Sequence, residues 1–245
     1  MKSSLLVATV AYKAPSTLGP RLELIRQSGL PVWVFDNSPG QHESTYNATK
    51  VWTEEHNVGL GPALHRLLSE AHQKGFDFLW YLDQDTVITE LSIQAVKNAV
   101  EVGFSDKQVI AWASNQPSSK VIPLAISSGS LFHLPSAKEL GFHNPEYFVE
   151  GVDYEFCLRA AIKGYNLISF HCPGLDHEVE QPKHLSRGKW RRRYPLSRTM
   201  AFEWVLFKLA LKALFAGKVQ FSYLFLRNMA THAVSQLWVY LKRKS

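Results

Sequence analysis

Through the first two-thirds of the chain, short apolar runs alternate with longer stretches whose apolar positions recur every three or four residues. The short runs read as buried strands and the longer ones as crossover helices, the alternation of an α/β sheet. Strands are expected at 5–12, 31–35, 51–54, 78–82, 109–113, 124–126, 129–133 and 166–170, with helices at 16–27, 61–74, 90–100 and 151–164. The clearest helix carries Ala63, Leu64, Leu67, Leu68 and Ala71 on one face. One strand ends in Asp36-Asn37-Ser38-Pro39-Gly40, turn chemistry at a carboxyl end, and another runs straight into Asp83-Gln84-Asp85. From Lys183 the pattern changes to a basic loop, followed by amphipathic helices over 196–215 and 219–241. The expected organisation is therefore a domain over 1–182 and a basic helical appendage over 183–245.

Composition narrows the class. A chain of 245 residues that is 46% hydrophobic has enough apolar surface for a sizeable core, which excludes intrinsic disorder. Its net charge of +6 hides an asymmetry: residues 1–182 hold 13 Lys/Arg against 20 Asp/Glu, while 183–245 hold 14 against the single acid Glu203. A basic tail on an acidic body points to nucleic acid, an anionic membrane surface or phosphorylated substrates. Cys157 and Cys172 form neither a C-x-x-C pair nor a disulfide framework and are expected as buried free thiols. Met1–Tyr12 is too short an apolar segment for a signal sequence, and no run reaches the ~18 apolar residues of a spanning helix. A soluble or membrane-peripheral protein is expected.

Three constellations carry candidate chemistry. Asp83 and Asp85 close a run that should be buried, and ligands of open α/β sheets bind outside the carboxyl ends of strands. Two carboxylates there suit a hard divalent cation bridging to phosphates, with an ordinary acidic turn as the competing reading. Asp36, at the end of an earlier strand, would line the same edge. Asp153 and Glu155 open a helix, where the dipole favours carboxylates, and Glu155 is also placed to pair with Arg159 one turn on. His171 and His177 flank a loop after a strand; either is a surface residue unless a metal already lies near, in which case neutral imidazole is a common ligand.

The order of these motifs resembles the inverting GT-A glycosyltransferases of family 2, and among them the bacterial rhamnosyltransferase-like group. Val7-Ala-Thr-Val-Ala-Tyr12 is similar to the first nucleotide-binding strand, with Lys13 where the family has Asn. Val34-Phe-Asp-Asn-Ser38 resembles the segment whose Asp contacts the nucleobase, and Asn57-Val-Gly-Leu-Gly61 resembles N-x-G-x-(A/G), with His65 at the later Asn position. Leu82-Asp-Gln-Asp-Thr86 is similar to the rhamnosyl form of the D-x-D motif. Ser128-Gly-Ser-Leu-Phe132 resembles the acceptor-side segment, and Gly151-Val-Asp-Tyr-Glu-Phe-Cys-Leu-Arg-Ala160 the helix that carries the catalytic base, with Val152 replacing its first acid. Leu175-Asp-His177 and Arg193-Tyr194 with Arg198 resemble the late metal-binding and basic segments.

The resemblance implies a GT-A fold and a sugar donor bound as its nucleotide diphosphate, dTDP-rhamnose in the rhamnosyl group. Thr9, Tyr12, Asp36, Asn57, Gly59, Asp83, Gln84, Asp85, Arg193 and Arg198 would bind the donor. Asp83, Asp85 and His177 would hold Mg²⁺ or Mn²⁺, Ser128, Gly129 and Glu155 would face the acceptor, and Asp153 would be the general base. The implied acceptor is a glycan on a polyprenyl diphosphate at the cytoplasmic face of the membrane, in surface-polysaccharide assembly. The amphipathic helices would then lie on the anionic membrane surface or pack in a homo-oligomer. Other nucleotide sugars, galactofuranosyl or hexosyl, are the alternative donors. A nucleic-acid module using Lys189-Trp-Arg-Arg-Arg-Tyr194 is the distant alternative, so no nucleic-acid partner is expected.

Overall fold

The first apolar run forms β1 (Leu5–Ala11), whose residues are buried almost throughout, as expected for a strand with parallel neighbours and helices on both faces. In the computed structural model, which describes residues 3–40, 46–115, 119–177 and 195–241, it is followed by α1 (Leu18–Gln27), β2 (Val32–Asp36), β3 (Lys50–Thr53), α2 (Leu60–Gln73), β4 (Phe78–Asp83) and β5 (Thr86–Val87). Then come α3 (Glu90–Val102), β6 (Gln108–Ser114), β7 (Lys120–Ile122), β8 (Ser130–His133), α4 (Leu134–Leu140), α5 (Val152–Ile162), β9 (Asn166–His171) and β10 (Asp176–His177). These elements form one compact unit, Met1–Glu178.

Eight strands make a mixed sheet in the order β3-β2-β1-β4-β8-β6-β9-β7, and β10 pairs with β5 in a separate two-stranded ribbon. β3, β2, β1 and β4 run parallel, β8 runs against both β4 and β6, and β9 is parallel to β6. The chain leaves β1 toward β2 on one side and returns to β4 on the other, which makes the β1/β4 boundary a topological switch point. The carboxyl ends of β1, β2 and β4 meet there, with Ala11 in register with Asp36 and Val10 with Asp83. α1 and α3 cover one face of the sheet, where Leu22, Ile25 and Val96 join Val7, Val34 and Trp80 in the core. α2 packs on β1 and β2 from the opposite face, with Leu64 and Leu67 fully buried.

The structure departs from the sequence expectation at 124–126. The strand lies before Pro123, at β7, where Val121 pairs with Ile168. Pro123 has no N–H to continue a ladder, and beyond it Ala125 exchanges hydrogen bonds with the Cys157 thiol of α5. Helix α4 was not expected; it follows β8 without a loop, starts with Pro135 in its first turn and stops at Gly141 in the left-handed region. Cys157 and Cys172 are both buried and free, and burial pushes each thiol up to about 12.

The second unit, Val179–Ser245, contains α6 (Leu196–Phe215) and α7 (Val219–Leu241). The two helices pack along each other, and Phe202 and Glu203 of α6 meet His232 of α7. Those positions lie about equally far from the connecting turn, so the helices run antiparallel.

Candidate functional site

The residues at the switch point are held by a small set of polar contacts. β4 is apolar until Asp83, whose carboxylate accepts a hydrogen bond from the Tyr81 hydroxyl at 3.0 Å. Its backbone N–H donates to the Ser128 hydroxyl at 3.1 Å, and Ser128 also meets the Thr86 hydroxyl at 2.7 Å. Asp153, in the first turn of α5, accepts from the Ser127 N–H at 3.0 Å and from the Ser127 hydroxyl on the same oxygen. Adjacent serines thus tie the Asp83 strand end to the start of α5.

The electrostatics follow from this geometry. Burial pushes the Asp83 carboxyl up to about 7, and the negative charges of Asp85 and Asp153 add to the rise while the Tyr81 and Ser128 contacts oppose it. Burial likewise lifts Asp153 to about 6, against its Ser127 hydrogen bonds. Tyr81, buried beside Asp83, is held well above its ordinary range and stays a donor. Two carboxyls near neutrality at the carboxyl edge of a sheet are suited to accept a proton or to gain a cation.

The Asp83–Thr86 turn is locked from two further sides. The Gln84 side-chain amide accepts the Tyr12 N–H at 2.7 Å and donates to the Tyr12 carbonyl at 3.1 Å, so it binds the end of β4 to the end of β1. Arg21 of α1 reaches over to donate to the backbone carbonyls of Gln84 and Thr86. Asp85 itself is exposed. β10 runs antiparallel to β5 with His177 in register with Thr86, so the chain position of His177 lies beside this turn; its side chain is outside the described residues.

A cleft of about 890 Å³ opens next to the switch point, lined by Lys13, Ser16, Asp36, Ser38, Gly40 and Tyr46 among others. Asp36 is buried, with one carboxylate oxygen on the Ser38 N–H at 3.0 Å and the other on the Tyr46 hydroxyl at 3.3 Å. Lys13 takes φ +48°, a left-handed conformation that Asn tolerates better than Lys. Thr9 lies two residues back from the strand end, and its buried hydroxyl has no partner among the described residues.

Asn57 and Gly59 belong to a segment fastened from below by Asn37, which accepts the Val58 N–H at 2.8 Å and donates to the Gly59 carbonyl at 3.1 Å. Asn57 accepts the Gly59 N–H at 2.8 Å. Gly59 has φ +91°, and a Cβ at Gly59 or Gly61 would collide with the backbone of Phe148 or Tyr147. Their small size serves the packing of α2 against the segment before α5. Glu155 is buried in a forked ion pair with Arg159, at 2.8 Å, and Arg159 also donates to the Leu140 carbonyl. Gly129, at φ +78°, turns the chain into β8 and donates to the Tyr81 carbonyl at 2.9 Å.

The structure therefore brings Asp36, Asp83, Gln84, Asp153, Ser128 and Gly129 to one sheet edge. Arg193 lies outside the described residues, and Arg198 belongs to α6 of the other unit. Ser127, Tyr81 and Arg21 were not singled out from sequence, and Asn37 stood there only as part of the segment 34–38, without a role. Ser127 had a signal in its place next to Ser128 and Gly129. Among the described residues no group of three or more His, Cys, Asp or Glu is arranged to hold a metal ion. Asp83 and Asp85 offer two oxygen donors, the donor type that Mg²⁺ and Mn²⁺ prefer, in a set that phosphate oxygens and water would complete. The residues fit a metal that arrives with a diphosphate better than a closed protein cage.

Comparison with solved structures gives a match to "Crystal structure of GalNAc-T7 with UDP, GalNAc and Mn2+", with a TM-score of 0.52 and 15% identity. The match covers 69% of this chain and 42% of that one, so the chain spans less than half of that protein's length. At this identity the likeness is one of fold, and the eight-stranded mixed sheet with its flanking helices is a GT-A fold. No protein-family profile and no curated protein matches the chain.

Proposed function

We propose that the chain is an inverting glycosyltransferase that takes a sugar from a nucleotide diphosphate, rhamnose from dTDP-rhamnose in our reading, and passes it to a lipid-linked glycan. The observation that carries the proposal is the pairing of Asp83 and Asp153 through the Ser127-Ser128 turn at the switch point of a GT-A sheet. The nucleotide would enter the cleft beside Asp36, with Thr9, Tyr12, Asn57 and Gly59 proposed as further donor contacts and the diphosphate directed toward Asp83 and Asp85.

Asp153 would accept the proton of the attacking acceptor hydroxyl. The new C–O bond forms on the face of the anomeric carbon opposite the leaving diphosphate, so one displacement inverts the configuration. A positioned base is worth on the order of 10²–10⁴ in rate. Ser127 holds the Asp153 carboxylate in place, while Gln84 and Arg21 keep the acidic turn rigid. A divalent cation on Asp83 and Asp85, with His177 as a further ligand, would offset charge developing on the leaving diphosphate. The Mn²⁺ and UDP named for GalNAc-T7 support metal and nucleotide use in this fold. Ser128 and Gly129 are proposed to border the acceptor, while Glu155 is taken up by Arg159.

The test is mass-spectrometric transfer screening of dTDP-, UDP- and GDP-sugars onto polyprenyl-diphosphate-linked acceptors, with and without Mn²⁺. Metal-dependent transfer from dTDP-rhamnose is the expected result. Transfer only from UDP- or GDP-sugars would replace the rhamnosyl donor, and failure of all three nucleotides to bind or react would overturn the reading.

A further inference from the structure

Each helix of the second unit carries an exposed apolar row in addition to the face it buries. On α6, Phe202, Leu206, Leu209 and Ala213 are buried, while Leu196, Met200, Trp204, Phe207, Leu211 and Leu214 are exposed, Trp204 to 58%. At about 100° per residue the exposed set spans an arc of only about 80°. On α7, Ser222, Phe225, His232 and Gln236 are buried, while Val219, Tyr223, Leu226, Val234 and Leu237 are exposed in an equally narrow row. In both helices the exposed row is turned about 120–140° from the buried row, in the same rotational sense. For an antiparallel pair, equal rotation from the buried rows brings both exposed rows to one side. The hairpin thus presents a two-helix apolar face.

The charge around that face says what fits it. Lys208, exposed, borders the α6 row, and its ammonium sits 5.3 Å from the Trp204 ring centroid. The region from 183 onward holds 14 Lys/Arg and a single acid, and that acid, Glu203, is engaged by His232. A second copy would set one such basic flank against another across a two-fold interface, where like charges repel. Apolar rows with Trp at the margin and lysines alongside are the pattern of helices that lie in a lipid interface. Among the described residues no helix is long and apolar enough to cross a membrane, so contact would be with the surface layer.

We propose that the α6–α7 hairpin docks flat on an anionic lipid bilayer, with the Trp204 and Leu237 rows in the headgroup–acyl boundary and the basic flank on lipid phosphates. This concerns the helical unit and is independent of the sheet-edge chemistry.

The full-length protein is sedimented with vesicles of phosphatidylglycerol and phosphatidylethanolamine, or of phosphatidylcholine alone, at low and high salt. Binding at least about tenfold tighter to the anionic vesicles, weakened by salt, is expected. The exposed-face variants Leu211→Glu and Leu237→Glu should each lose most of the binding while far-ultraviolet circular dichroism and melting temperature stay unchanged. Brominated lipid should quench fluorescence that is absent in Trp204→Phe. Absence of vesicle binding by the folded protein overturns the proposal. So does anionic binding that survives both glutamate variants, because charge alone would then explain it. Concentration-dependent dimerisation lost in Leu211→Glu, without lipid binding, would assign the face to a second copy instead.

Discussion

Ser127→Ala tests the link between Asp153 and its support without touching the carboxylate. The substitution removes the hydroxyl donor and leaves the Ser127 N–H in place at 3.0 Å. A hydrogen bond to a charged group is worth about 1.5–3 kcal/mol, and one pKa unit corresponds to about 1.4 kcal/mol. Asp153 retains one donor, so the lower end applies and its pKa should rise by about one unit from its value near 6. With one proton controlling the base, kcat/KM of the variant would fall about twofold at pH 7 and about fivefold or more at pH 6, and would match the wild type above about pH 8.5. The assay is nucleotide release at subsaturating donor between pH 5 and 9, with divalent metal in excess. An acid limb that stays in place, or an activity loss equal at every pH, would refute the assignment of Asp153 as a base tuned by Ser127.

Further outcomes follow from the same contacts. Asp153→Asn should abolish transfer, by about 10²-fold or more, while calorimetric donor affinity survives; full activity would remove Asp153 from the base role. Asp85→Ala should lose the metal-dependent part of donor affinity and keep its melting temperature, because this carboxylate is exposed. For the ligand-free protein, Asp83 near 7 and Asp153 near 6 are both raised above their unfolded values near 4, so between those limits the folded state holds more protons than the unfolded chain. Stability contributed by these groups is therefore greatest below about pH 4 and declines as pH rises to about 7; Asp83→Asn should flatten that decline in a melting-temperature series. Gly61→Ala drives a Cβ into the Tyr147 carbonyl and should destabilise the fold by about 1–3 kcal/mol in urea titration.

The alternation of short apolar runs with helical periodicity was enough to place most strands and the helices α1, α2, α3, α5, α6 and α7 to within a few residues. It worked because strands buried on both faces read as continuous apolar runs. The expectation failed where a local chemical rule outweighed hydrophobicity. Leu124-Ala125-Ile126 looks like a strand, yet Pro123 ends the ladder and Cys157 takes the backbone of Ala125. Helix α4 escaped notice because Leu134–Leu140 follows β8 directly, with no polar loop to mark its start. At the site, the strand-end acids were legible because they follow directly on apolar runs and so mark the carboxyl ends of strands, where ligands of open α/β sheets bind. Their supports were not, since Arg21 acts through backbone carbonyls across 63 and 65 positions of sequence, and nothing local distinguishes it from any helix arginine.

The Ser127-Ser128-Gly129 turn explains how this edge tolerates two acids with raised pKa values. The charges of Asp85 and Asp153 both raise the proton affinity of Asp83, a repulsion that would separate the three if the chain allowed it. The turn prevents this with short arms. Ser127 fixes Asp153, Ser128 fixes the backbone of Asp83 and the Thr86 hydroxyl, and Gly129 bonds to the Tyr81 carbonyl one residue before Leu82. The Trp112 indole then donates to the Ser128 carbonyl at 3.0 Å, anchoring the turn to β6. A longer side chain at 127 or 128 would reach the same acids with more freedom and hold them less firmly. Small hydroxyls on a turn anchored at the antiparallel β8 are thus the means by which a parallel sheet edge keeps Asp83 within the field of Asp153.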